Sequence, residues 1–259
     1  GNNTNGITRD VSLLTNMTME TDDINLKNIN RWDPNNYLNI WLVHSITSIS
    51  SGPGVAGYAY FPSSHGQPED GILCEAGFFS SSSGAVVQIH EVGHYLGLYH
   101  TFEGGCTNTN CLLYGDRVCD TPPDASTANP PCSAPPLNSC VTDEDDLSTN
   151  NPFRPIGMGG LGEQFDMYKN FMDYGDLFCK RIYTSGQKDR MISSLIFSRS
   201  SLFSSLGCVS PCFTPINSSF NASDDTITIG STINFTNSST GLINTYDWSI
   251  GGLSFSTNQ

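Results

Sequence analysis

The stretch His90-Glu91-Val92-Gly93-His94-Tyr95-Leu96-Gly97-Leu98-Tyr99-His100 constrains this chain more than any other. From Ala85 the apolar residues Val86, Ile89, Val92 and Leu96 recur at helical intervals, which predicts a helix with one buried face. On that helix His90 and His94 lie one turn apart on the same side, so both imidazoles can reach one metal ion. A continuing helix would carry His100 about 9 Å further along its axis, out of reach of that ion. Gly97 removes the difficulty, because glycine adopts left-handed angles freely and lets the chain turn back. Two histidines on a helix are often an ordinary polar pair; Gly97 and His100 at these offsets favour a three-histidine metal site. Three neutral imidazoles leave the charge of a zinc ion uncompensated and its fourth position open to water. Glu91, next to His90, can face that water as general base and pass the proton on to a leaving amine.

Charge and cysteine content narrow the setting. There are 25 acidic residues against 11 basic ones, a net charge of -14, and no basic stripe to neutralise nucleic-acid phosphates. No apolar run approaches the 18 or so residues of a membrane span. Nine cysteines without a CxxC pair point to an oxidising, extracellular compartment. The odd count leaves a free thiol, an intermolecular bridge or a partner elsewhere. Gly1-Asn2-Asn3-Thr4 has neither a charged nor an apolar leader region, so any signal peptide is expected to be absent already.

Along the chain, residues 1–36 are polar and end in the turn Pro34-Asn35-Asn36. Residues 37–43 read as a buried strand, 57–61 as a shorter one stopped by Pro62, and 71–76 as a third. The serines at 80–83 can cap the helix that follows. Residues 103–165 lack periodicity and hold five of the nine cysteines, which predicts a long, stapled, irregular region. The acidic run Asp143-Glu144-Asp145-Asp146 reads as a solvated face. Residues 190–196 read as a C-terminal helix. Residues 213–259 contain no Lys or Arg and alternate in β fashion at 226–229 and 232–236. A domain boundary is expected near 208–213, giving domains 1–208 and 209–259. The second holds too few strands to close a β-sandwich.

The pattern HExxHxxGxxH, with Asn170-Phe171-Met172-Asp173-Tyr174 some seventy residues later, resembles the metzincin zinc proteases. More specifically, the chain resembles the pappalysin family. The segments that carry this are His100-Thr101-Phe102-Glu103-Gly104-Gly105-Cys106, Gly115-Asp116-Arg117-Val118-Cys119-Asp120-Thr121-Pro122-Pro123, the methionine segment with Cys179 after it, and Thr184-Ser185-Gly186-Gln187-Lys188-Asp189-Arg190-Met191. Trp32-Asp33-Pro34 adds to them, and the likeness covers about residues 6–200. It implies an α+β fold with a small mixed sheet, an active-site helix and a loop-rich, disulfide-stapled C-terminal subdomain, followed here by a partial β-sandwich. It implies Met172 as a floor beneath the three histidines and Tyr174 near the zinc, where its phenol can stabilise an oxyanion. It also implies a Cys132–Cys179 bridge, Cys140 joined to Cys106 or Cys111, and Cys119 joined to the remaining one. Cys74, Cys208 and Cys212 stay unassigned. Calcium is implied at Asp116, the Cys119 carbonyl and Thr121, where hard oxygen donors cluster.

Two departures matter. Relatives often carry an acidic residue five positions after the methionine; here that position is Leu177, with Asp176 one before it. Cleavage before a basic residue is therefore in question: Asp176 substitutes, or the pocket is more apolar. By the same resemblance the chain is expected to open after the strand–helix–strand with which the family's catalytic domain begins, and without a pro-segment. Residues 235–250 are similar to the first half of a PKD-type immunoglobulin-like module. The Asn-x-Ser/Thr sequons at Asn16, Asn217, Asn221, Asn234 and Asn237 are expected by chance in so Asn/Ser-rich a chain. The expected function is that of a secreted, bacterial zinc endopeptidase. It would act as a monomer on protein or peptide substrates, without nucleic acid and without a membrane span. The alternative is a non-catalytic adhesion protein on a protease scaffold.

Overall fold

A computed structural model describes residues 6–79, 84–205, 218–224, 226, 230, 232–240, 248–250 and 253–256. It divides the chain into two compact units, Gly1–Ser205 and Leu206–Gln259.

The first unit starts with β1 (Asn16–Thr18) and α1 (Met19–Lys27), followed by β2 (Ile40–Val43), β3 (Ser45–Ser48), β4 (Gly52–Pro53), β5 (Gly57–Ala59) and β6 (Ile72–Glu75). Two three-stranded mixed sheets result, ordered β1-β3-β4 and β2-β6-β5. In the second, β2 and β6 run parallel and β5 is an antiparallel edge. Helix α2 (Ala85–Tyr95) packs on that sheet through Val87 and Tyr95, which join Ile72 and Cys74 in one buried cluster. A neighbouring cluster contains Met17, Leu26, Val43, Ile46, Tyr58 and Leu73. Burial of this kind, at about 25 cal/mol per Å2 of apolar surface, is what holds the sheets to the helix.

Two expectations for this half need correction. The run 37–43 pairs only over β2 and is not buried: Val43 enters the core, while Ile40 and Leu42 are 43% and 46% exposed. Alternate side chains of a strand face opposite ways, so an unbroken apolar run does not ensure two covered faces. The polar opening also contains helix α1. Its buried residues are Asp23, Leu26 and Lys27. The Lys27 ammonium bonds Asp23 at 2.8 Å and the Glu69 carbonyl at 2.7 Å, beneath Trp41, Tyr58 and Tyr60. The inward face of α1 is an ion pair, so it leaves no apolar period.

From 101 to 184 the chain is irregular, with two short 3-10 turns at Ile156–Met158 and Leu177–Cys179. Disulfides join Cys106 to Cys140 and Cys111 to Cys119, which settles the alternative left by the sequence. The implied Cys132–Cys179 bridge is not formed; both thiols are free, and Cys179 Sγ donates to the Asp176 carbonyl at 3.1 Å. Asp143 corrects the solvated-face reading of the acidic run. It is 1% exposed, and its carbonyl accepts hydrogen bonds from the Asn108 and Asn151 amides. Helix α3 (Ser185–Phe197) starts at a capping box of Thr184 and Gln187, which satisfies donors at its first turn. The serines at 80–83, Cys208 and Cys212 lie outside the described residues.

In the second unit β7 (Phe220–Ala222) pairs antiparallel with β8 (Phe235–Asn237), and β9 (Trp248–Ile250) with β10 (Leu253–Ser256). Phe220, Phe235 and Trp248 pack ring against ring, 5.7–6.3 Å apart. Apart from Thr226, the expected strand at 226–229 lies outside the described residues.

Candidate active site

Helix α2 ends in a hydrogen-bonded reversal built on one glycine. Leu98 N–H donates to the Gly93 carbonyl and Gly97 N–H to the His94 carbonyl, both at 2.9 Å, with Gly97 at φ +90°. This is the Schellman arrangement, in which a left-handed residue closes the helix. Two arginines steady the same end. Arg199 Nε donates to the Tyr95 carbonyl and Arg190 Nε to the Gly97 carbonyl, each at 2.8 Å. Cations beside a helix C-terminus also meet its negative dipole end.

The reversal brings His100 back to His90 and His94. The Nε2 atoms are 3.0 Å apart for His90 and His94, 3.1 Å for His94 and His100, and 3.2 Å for His100 and His90. Two of the rings have fixed tautomers. His90 Nδ1 donates to the Phe171 carbonyl at 2.6 Å and His94 Nδ1 to the Leu98 carbonyl at 2.8 Å. A carbonyl only accepts, so both Nε2 atoms carry lone pairs. Burial and mutual proximity hold His90 down to about 4 and His100 to about 3, and burial lowers His94. Neutral rings pointing lone pairs at one another repel unless a cation lies among them. Three nitrogens around a tetrahedral zinc with bonds near 2.0–2.1 Å would be about 3.3 Å apart, close to the distances seen. The donor set therefore fits zinc. Among the described residues it is the one cluster of three or more His, Cys, Asp or Glu ligand atoms compact enough to hold a metal.

Beneath the helix, Met172 is fully buried and its carbonyl accepts from Thr101 N–H. A side chain at Gly93 would run into the Met172 sulfur, so the absence of a Cβ lets the methionine pack directly under α2. Glu91 is 5% exposed, and its Oε2 has no hydrogen-bond partner. Burial pushes its carboxyl up to about 8, and a nearby cation would draw it down again. Tyr174 stands over the site, its ring 5.0 Å from that of His100 and 4.7 Å from that of Phe102. The histidines, Glu91 and Tyr174 all line one cleft of about 820 Å3.

Residues 20–196 match the peptidase family described as pregnancy-associated plasma protein-A. The chain belongs to that family. An extracellular metalloprotease of Verticillium alfalfae is 35% identical over 158 residues, which is 57% of this chain and 46% of the relative. Another, of Pyricularia oryzae, is 33% identical over 166 residues, 60% of this chain and 47% of that one. The chain thus spans just under half the length of these relatives. Their sources lend no support to a bacterial origin. Among solved structures, mature mirolysin of Tannerella forsythia in complex with a cleaved peptide is similar, with 28% identity and a TM-score of 0.55. That match covers 78% of this chain and 70% of mirolysin. The family implies zinc, and the α+β fold with its small sheets and disulfides is of the same type. No described helix is long and apolar enough to cross a membrane.

The Asp116 loop lies apart from the histidines. Asp116 is buried, and its Oδ1 accepts from Val118 N–H and the Thr121 hydroxyl, while Oδ2 has no partner. Burial pushes its carboxyl up to about 7. Cys119 is tied to Cys111. Asp120 instead anchors α3, accepting from the Thr184 hydroxyl and Gly186 N–H. Reading the sequence missed the two orienting carbonyls, the arginines at the helix end, and Lys180, which lines the cleft. Backbone carbonyls carry no residue signature. Arg190 lay within a family segment, but with no sign of its target.

Proposed function

We propose that this chain is a secreted zinc endopeptidase. The observation that carries the reading is the trio of Nε2 atoms 3.0–3.2 Å apart, with the unpartnered Glu91 Oε2 in the same cleft. His90, His94 and His100 would hold the zinc, which supplies a Lewis acid for a peptide carbonyl and a lowered pKa for water. Glu91 takes the proton of the attacking water at its free Oε2 and delivers it to the departing amine. Burial raises the proton affinity of its carboxyl and a bound cation would lower it again, so the two together set how readily it takes and returns the proton. Tyr174 donates its phenol hydrogen to the oxyanion of the tetrahedral intermediate. Met172 and the Phe171 and Leu98 carbonyls fix the ligand rings, which protects ligand geometry.

The substrate is an extended peptide. Strand β5 is a sheet edge, and Gly57, Tyr58 and Ala59 line the cleft, so a peptide can add there as a further strand. The unpartnered, buried Asp116 Oδ2 supports calcium in the loop, with the Cys119 carbonyl and Thr121 as further oxygen donors. We read residues 1–208 as the catalytic domain and 209–259 as part of a PKD-type module. A purely adhesive scaffold has no use for a buried, unpartnered Glu91, which argues against that alternative. The test is hydrolysis of casein or gelatin with and without a zinc chelator. Hydrolysis that stops on chelation and returns with zinc supports the reading; a zinc-loaded chain that cleaves neither protein refutes it.

A further inference from the structure

Besides the histidines, the cleft is lined by Val86 and Val87 of the first turn of α2 and by Phe171, Gly175, Leu177 and Lys180; we take the part of the cleft bounded by these six residues as its recess. Leu177 packs on the buried cluster of Ile72, Cys74, Val87 and Tyr95, so it is an anchored apolar wall. Lys180 is 6% exposed and donates to the Tyr168 carbonyl at 2.8 Å. It is the only Lys or Arg among the described residues that line the cleft.

A basic substrate side chain entering here would need an uncommitted carboxylate. Asp176 caps the Leu177–Cys179 turn, its Oδ1 accepting from Phe178 N–H at 2.9 Å, and it does not line the cleft. Asp173 does line it, but it is buried and its Oδ1 accepts from Tyr174 N–H at 2.6 Å. The charge of the buried Asp173 and Asp124 is offset by the nearby Lys180 ammonium. Glu91 is committed to the reaction, and Glu103 is exposed, where an ion pair is worth little. A second cation in the recess would meet an ammonium in poorly hydrated surroundings, where like charges repel strongly.

We infer that the recess receives an uncharged, apolar side chain of the residue adjoining the cleaved bond, with Leu177 and Lys180 excluding basic ones. The inference rests on the peptidase reading above and names the substrate class of the same site. The test is cleavage-site profiling of the zinc-loaded chain on an unbiased peptide library, beside its Leu177→Asp and Lys180→Met variants, each checked for zinc content and circular dichroism. The wild type is expected to enrich Leu, Ile, Phe or Met at one position adjoining the bond and to deplete Lys and Arg there by about tenfold or more. Leu177→Asp should raise basic residues at that position by about tenfold, and Lys180→Met should relax their exclusion while keeping the apolar preference. Enrichment of Lys or Arg there by the wild type overturns the inference and leaves the peptidase reading standing. So does a folded, active Leu177→Asp variant with an unchanged profile. A zinc-loaded wild type that cleaves nothing overturns the peptidase reading and the inference with it.

Discussion

Up to His100 the first unit is held by paired strands, a helix and two apolar clusters. From 101 to 184 the buried side chains are largely polar, among them Asn108, Asp116, Thr121, Asp124, Asp143, Asn151, Asp166 and Asn170, and two disulfides tie the segment. The candidate site takes a different contribution from each half. The regular half sets the spacing of His90 and His94 along α2. The irregular half supplies the Phe171 carbonyl, Met172, Tyr174 and the recess. Where little apolar surface is buried, order rests on hydrogen-bond satisfaction and covalent links, so the two halves should respond to different insults.

The largest effect expected is from reduction. Closing the 34-residue span of Cys106–Cys140 and the 8-residue span of Cys111–Cys119 is worth about 4 and about 2.5 kcal/mol by loop entropy. Reduction should therefore raise amide exchange across 101–184 while 40–79 and α2 stay protected. Uniform loosening of both halves would break the comparison.

A smaller effect is expected at the border between them. Gly97→Ala places a Cβ at φ +90°, which costs about 1–2 kcal/mol. It also brings that Cβ to 3.3 Å from Pro62 and 3.4 Å from Ser194. Zinc affinity measured against a competing chelator should fall by about tenfold with helix content unchanged. Unaltered affinity would mean that the reversal does not position His100.

The smallest effect is one of pH. Burial pushes the Asp116 and Asp143 carboxyls up to about 7. An aspartate whose folded value lies above the unfolded value of about 3.9 binds its proton more tightly when folded. Its contribution to stability is then greatest below pH 4 and falls as pH climbs to about 7. Without calcium, segment 101–184 should thus resist unfolding better at pH 5 than at pH 7.5, and added calcium should narrow the difference through Asp116. Greater resistance at pH 7.5 without calcium would contradict the sign.

The three ligands were legible because helical periodicity and one glycine determine where His90, His94 and His100 fall. Helices α2 and α3 were legible for the same reason of period, and strand β6 as a short apolar run. Helix α1 was not, since Asp23 and Lys27 occupy the face where apolar residues would announce it. Asp143 looked solvated because a charge in sequence says nothing of the amides that surround it. Leu177 and Asp176 left the recess undecided, because only the fold shows Asp176 off the cleft wall, capping Phe178 N–H, and Lys180 brought to it.

The central claim is that Glu91 moves the proton at a zinc held by three histidines. Glu91→Ala, assayed side by side for peptide hydrolysis and for bound metal, tests it most directly. The account predicts that hydrolysis falls by about a hundredfold to ten-thousandfold while zinc stays near one equivalent per chain. Undiminished hydrolysis in a zinc-loaded Glu91→Ala protein would contradict it.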